Sequence, residues 1–354
     1  MSNERPLVTA TVDFDRDGIQ QGHIEVPFSH DRSAYGRIPI PLVVGRRGDG
    51  PTVLLTAGVH GDEYEGPIAL TRLIHQLSLE NINGRLIIIP ALNFPAYLAG
   101  TRTSPVDRLN LNRRFPGERN GPPTDMIAHY VETTLMPMAD YCFDFHAGGA
   151  SLNYLPSLIT DRPKSEKQRI RLDNLVAAFR PPRVLYMDIL DEDRLIAAAA
   201  RRHNVCFLTG EFGGGGALDP TGLEVLSDGL SEVLSAVGVL RNGPVKNRIR
   251  NGGTTRKLSV NGSAHYIFAT RPGIFEPCFR LGDEVEKDRI AGYIHDPFAP
   301  WQEPSEIRFA GSGIAVCIRT QALVAPGDCL GHLASEEPLT TPSVERNGER
   351  RRKN

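Results

Sequence analysis

His60 and Glu63 stand three positions apart in "TAGVHGDEYEG", a glycine-flanked turn that follows the apolar run "TVLL". An imidazole and a carboxylate are both good zinc ligands, and a turn between a buried strand and a helix can aim the pair into one cleft. Alone, H-x-x-E is a weak signal, because a surface histidine beside a glutamate is usually only solvated. A site needs a third ligand. His146 in "DFHAGG" is the best candidate, at another strand end and ahead of glycines that allow close approach. Two histidines and one carboxylate leave the fourth tetrahedral position open for water, as in a catalytic zinc, whereas a structural zinc favours cysteines. One Zn²⁺ per chain is the expectation.

Two further stretches carry chemistry. In "LTGEFGGGG" the glycines lack the terminal GK[ST] of a phosphate loop and the spacing of a dinucleotide fingerprint, so Glu211 is the informative residue. A carboxylate beside an activated water can take its proton and later hand one to a leaving amine. In "DRLNLNRRFPG", Asn112 and Arg113 suit a substrate carboxylate, since the planar guanidinium can form two hydrogen bonds at once. By itself that stretch would read as a basic surface loop. Of the remaining histidines, His75 and His129 fall in helical patterns and the others are isolated, with His265 and His295 kept open in case their segment faces the cleft.

Elements must bring these residues together. From Pro51 onward apolar strands alternate with helical segments: "TVLLTAG", the helix "PIALTRLIHQL", "RLIIIPAL", "ADYCFDFH", "RVLYMD" and "NVCFLTGEF". Such alternation implies an α/β layer on a mostly parallel sheet flanked by helices. Ligands gather at the carboxyl ends of the strands in such sheets, and His60, His146 and Glu211 all fall there. Short strands are expected before residue 45 in "HIEVPF" and "IPIPLVV". After a helix at about Leu223 to Leu240, "RNGPVKNRIRNGG" breaks the pattern. The stretch beyond it reads as short strands and turns, a small all-β barrel or sandwich. The expected division is residues 1–245, residues 246–335, and a disordered tail at 336–354.

Composition narrows the class. The chain has 354 residues, 40% hydrophobic and 23% charged, with a formal net charge of −2, which argues against disorder and against a general attraction to nucleic acid. Five cysteines without a C-x-x-C pair read as reduced thiols. The charged N-terminus and the absence of an apolar run near the roughly 18 residues of a membrane span lead to an expectation of a cytoplasmic protein, free of membrane and nucleic-acid partners, and open to forming a homo-oligomer.

Taken in order, "GVHGDEYEG", "NLNRRFPG", "DFHAGG" and "GEFGGGG" resemble the succinylglutamate desuccinylase and aspartoacylase family of zinc-carboxypeptidase-like hydrolases. The likeness implies His60, Glu63 and His146 as zinc ligands, Glu211 as the catalytic glutamate, and Asn112 with Arg113 as the holders of the substrate carboxylate. It further implies Arg102 in "GTRTSPVD" as the arginine that polarises the scissile carbonyl, with Arg108 as its competitor. Asn110 departs from the pattern, because many relatives carry aspartate there. The implied activity is removal of an acyl group, best matched by acetyl, from a small N-acyl amino acid. A desuccinylase, an aspartoacylase-type deacylase and a peptide-cleaving metallocarboxypeptidase would use the same residues. A non-catalytic metal-binding protein would have no need of Glu211.

Overall fold

The computed structural model describes residues 7–187, 192–241 and 254–337. Its centre is four parallel strands in the order Gly84–Ile89, Thr52–Ala57, Tyr141–His146 and Cys206–Glu211. The Thr52–Ala57 strand is buried at every position, as expected where helices cover both faces of a parallel sheet. Alternation then decides which core each side chain joins. Val53, Leu55, Phe143 and Phe145 enter one core, beneath helices Glu65–Gln76 and Pro220–Ala236. Leu54, Ile87, Ile89 and Cys142 enter the other, against helices Pro123–Tyr130 and Ile196–Arg202.

Helix Pro220–Ala236 buries Leu223, Leu226, Leu230, Val233 and Leu234. Spacings of three and four place them on one stripe. Asp219 caps its first turn, accepting a hydrogen bond from the Thr221 amide at 3.0 Å. Leu70 of helix Glu65–Gln76 is fully buried in the same core. Its truncation to alanine would cost about 2–5 kcal/mol.

The sheet does not stop at the parallel centre. Arg256–Val260 pairs in parallel with Arg183–Met187 and antiparallel with Cys329–Glu336, so the late strands continue the same 15-stranded sheet. A separate four-stranded antiparallel sheet, in the order Ser305–Arg308, Ile290–His295, Gly273–Pro277 and Leu323–Val324, packs beside it. This is the mostly parallel α/β architecture with a late antiparallel β unit that the sequence leads one to expect. The expected boundary at 245/246 lies outside the described residues, as does nearly all of the tail. Among the described residues, no helix is long and apolar enough to cross a membrane.

One connection matters most for the site. Immediately after His146 the chain forms the short strand Leu152–Tyr154, which pairs with Gly313–Arg319, placing Tyr154 opposite Cys317. The glycines after Glu211 make this passage possible. Gly214 has φ of 138°, and a side chain there would meet the Leu152 carbonyl, while the Gly213 carbonyl accepts from the amides of Gly148 and Tyr154, each at 3.0 Å. The glycine run therefore serves backbone packing.

Candidate active site

Glu63 lies between two imidazoles. Its Oε1 is 2.6 Å from His60 Nδ1 and its Oε2 is 2.8 Å from His146 Nδ1. All three side chains are buried, and their ligand atoms lie within 4.8 Å of one another. The opposite ring nitrogens are held from behind. His146 Nε2 donates to Asp144 Oδ2 at 2.7 Å, and Asp144 Oδ1 accepts from the Thr56 hydroxyl at 2.7 Å. His60 Nε2 donates to Asn110 Oδ1 at 3.2 Å, and that oxygen also accepts from the Asn112 amide at 3.0 Å. These contacts fix the tautomer that leaves both Nδ1 atoms facing the centre, the usual support behind a metal-bound histidine. At Asn110 the amide keeps the acceptor that an aspartate would provide and drops its charge.

Strand geometry explains the support. Asp144 and His146 are two residues apart and share a face of their strand. Thr56 is the register partner of Asp144 on the neighbouring strand. Burial would raise the Glu63 carboxyl, yet His60 and His146 hold it well below its ordinary range. Burial would lower the His146 imidazole, yet Asp144 and Glu63 raise it well above. His60 is lowered, chiefly by burial. A buried anion thus has to be balanced by a proton on a neighbouring ring, and a divalent cation at the shared centre fits this donor set with the opposite charge it lacks.

Glu211 stands beside this centre. It is the register partner of His146 on the adjacent parallel strand. Its Oε2 is buried without a hydrogen-bond partner. Burial first, and the charge of Glu63 second, push its carboxyl up to about 8. Two other glutamates do not line the cavity: Glu65 Oε1 accepts from the Asp219 amide at 2.8 Å, and Glu276 pairs with His295 on the surface at 2.7 Å.

Arginines form the opposite rim. Arg102 Nη1 is 3.3 Å from His60 Nδ1 and 3.6 Å from Glu63 Oε1. It lines the pocket, whereas Arg108 is exposed at a turn with φ of 60° and does not. Arg113 also lines the pocket, with Nη1 donating to the Asn112 carbonyl at 2.6 Å and Nε 3.2 Å from Glu192 Oε2. Asn112 Oδ1 accepts from the Ile196 amide at 3.0 Å, which leaves its Nδ2 as the donor for a ligand. Among the described residues, the cavity shared by these groups measures about 490 Å³, within the range of small-molecule sites.

Its far wall is not evident from sequence. Tyr154, Tyr266, Phe268, Cys329 and His332 close the pocket, most of them from the late strands. The Tyr154 hydroxyl lies 3.3 Å from His332 Nδ1, and the Tyr266 ring stands edge-on to His332 with centroids 4.5 Å apart. Burial lowers the His332 imidazole to about 4. The late histidine that reaches the pocket is His332, whereas His265 bonds the Asn261 amide at 2.6 Å and Ser335 at 2.9 Å. No motif announces His332. For Asp144, the D-x-H alternation in "DFH" was an available signal.

Comparison with known proteins agrees with this geometry. Residues 49–237 match the family described as the succinylglutamate desuccinylase/aspartoacylase catalytic domain. Over 338 residues the chain is 37% identical to N-alpha-acetyl-L-2,4-diaminobutyric acid deacetylase of Halomonas elongata, covering 94% of this chain and 96% of that protein. A product-bound structure of the ectoine utilization protein EutE (DoeB) from Ruegeria pomeroyi superposes with a TM-score of 0.87 at 35% identity, over 94% of this chain and 100% of that one. A succinylglutamate desuccinylase/aspartoacylase structure from Rhodobacter sphaeroides gives a TM-score of 0.87 at 34% identity, over 93% and 99% of the two chains.

Proposed function

The chain belongs to the succinylglutamate desuccinylase/aspartoacylase family of deacylases, and from that premise we propose that it is a zinc-dependent deacetylase of N-alpha-acetyl-L-2,4-diaminobutyrate, releasing L-2,4-diaminobutyrate and acetate in ectoine breakdown. The observation that carries this reading is the convergence of a metal triad, a lone carboxylate and two arginines on one small cavity. The acetyl-diaminobutyrate substrate is drawn from the Halomonas relative, and the ectoine context from the Ruegeria one.

His60, Glu63 and His146 would hold the zinc, which when bound supplies Lewis acidity and lowers the pKa of water. Glu211 accepts a proton from the attacking water and returns it to the departing nitrogen, so the amide bond breaks to a free amine and acetate. Burial and the charge of Glu63 raise the Glu211 carboxyl in the metal-free site, and a divalent cation on the triad would favour the ionised form that accepts the first proton. Arg102 donates to the carbonyl oxygen as negative charge builds there, a contribution of roughly 3–4 kcal/mol per donor in comparable sites. Arg113 and Asn112 hold the free carboxylate and fix the distance from it to the scissile bond.

Tyr154, Tyr266 and His332 line a cavity of about 490 Å³, a size that suits an acyl amino acid and supports that reading over a carboxypeptidase substrate. A hydrolysis screen of the zinc-loaded protein tests the reading. N-alpha-acetyl-L-2,4-diaminobutyrate should be turned over faster than N-acetylaspartate, N-succinylglutamate or a tripeptide. Preferred cleavage of the tripeptide would remove the deacetylase assignment, and preferred cleavage of N-succinylglutamate would replace acetyl by succinyl.

A further inference from the structure

A substrate with a second amino group needs an anion to receive it, and the carboxylates lining the cavity are already assigned to the metal centre or to the reacting bond. Glu63 is shared by His60 and His146, Asp144 is fixed by His146 and Thr56, and Glu211 lines the cavity as the proposed proton carrier. The carboxylate next in reach is Glu192, which touches the arginine assigned to the substrate carboxylate. Glu192 Oε2 is 3.2 Å from Arg113 Nε, its Oε1 accepts from Arg194 Nε, and its side chain is 29% exposed. The contact with Arg194, and then the charge of Arg113, keep the Glu192 carboxyl below its ordinary range, so an anion stands directly behind the Arg113 guanidinium that lines the cavity.

We propose that Glu192 is the residue that selects a cationic side chain, receiving the ammonium of a short basic N-acyl amino acid whose carboxylate is held by Arg113. The inference rests on the deacetylase reading above. Among the described residues, the contacts of Arg113 use Nε and Nη1, so Nη2 is the donor left for the incoming carboxylate. A carboxylate bound there comes beside Glu192, and two anions then share one guanidinium. A substrate ammonium two carbons beyond Cα completes an alternating arrangement of charges. An aspartyl side chain in the same place sets a further carboxylate against Glu192, a like-charge juxtaposition that disfavours the wrong substrate.

The test compares the parent with Glu192→Gln and Glu192→Lys on three matched acetylated substrates, the diaminobutyrate, the neutral 2-aminobutyrate and the aspartate. Glu192→Gln should lower kcat/KM for the cationic substrate about 10-fold or more, through KM, and change the neutral one by less than about 3-fold. Glu192→Lys should lower the cationic substrate further and raise the aspartate. Calorimetry with the free product amino acids reads the same preference without turnover, and the parent should bind 2,4-diaminobutyrate more tightly than 2-aminobutyrate, with Glu192→Gln removing the difference.

An equal fall on all three substrates would mean that Glu192 merely sets the position of Arg113, and unchanged ratios would mean that it makes no contact; either overturns the proposal. So would a selective loss that tracks Tyr266→Leu in place of Glu192→Gln, because the aromatic wall would then hold the cation. A parent that hydrolyses no acetyl amino acid but still shows the Glu192-dependent binding preference would sink the deacetylase reading alone.

Discussion

Glu211 and His146 are register partners on adjacent parallel strands, so the proposed proton carrier and a metal ligand leave the sheet at the same level and on neighbouring chains. The sheet sets their separation, and no loop has to close to bring them together. Replacing Glu211 by glutamine keeps the size of the side chain and removes its proton acceptor. The rate should fall by roughly 10²-fold or more, with metal content unchanged. Steady-state kinetics alongside metal analysis would decide the point, and parental activity in the variant would exclude Glu211 as the carrier.

Metal analysis of the parent should find about one zinc per chain, because the triad offers three ligands and an open position. His60→Ala and His146→Ala should lose it. Asp144→Ala keeps every ligand yet removes the acceptor behind His146, so affinity should fall about 10- to 100-fold. Competition with a chelator would measure the change, and an unaltered affinity would show that Thr56 and Asp144 do not hold the ring.

Arg113→Ala should raise KM for the acyl amino acid, and Arg113→Lys should recover only part of it, since a single ammonium cannot reach Glu192, the Asn112 carbonyl and the substrate carboxylate from the three separate nitrogens of a planar guanidinium. Converting the substrate carboxylate to its amide should give the same loss in the parent. Equal turnover of acid and amide would free Arg113 from this assignment.

His332 predicts a pH effect that does not depend on metal. Its neighbours Tyr154, Tyr266 and Cys317 are uncharged, and burial lowers its folded pKa from 6.5 to about 4. A depressed folded pKa means that the stabilisation is complete above 6.5 and is lost as pH falls through 4. The loss should approach about 3 kcal/mol across that window. Chelated protein unfolded by urea at pH 7 and at pH 4 should show it, and His332→Gln should reduce the difference. A parent and variant with the same acid loss would place the effect elsewhere.

The sequence by itself determined local features. "TVLL" and "DYCFDF" are apolar runs that make strands, glycines mark the turns after them, and His60, Glu63, His146 and Glu211 sit where those strands end. Period-two alternation in "DFH" already set Asp144 and His146 on one face. Arg102 and Arg113 belonged to loops whose chemistry was legible, though their aim was not.

Tertiary structure decided the rest. Thr56 meets Asp144 only through the register of two strands far apart in sequence. Asn110 reaches His60 across the turn at residues 101–113. Tyr154 finds His332 because the strand after His146 pairs with Gly313–Arg319, and Glu192 touches Arg113 from a segment some eighty positions on. Turns and alternation arise from short-range sterics and solvation, which a dozen residues carry. Strand register and the packing of late strands over the pocket depend on the whole sheet, and no short motif encodes them.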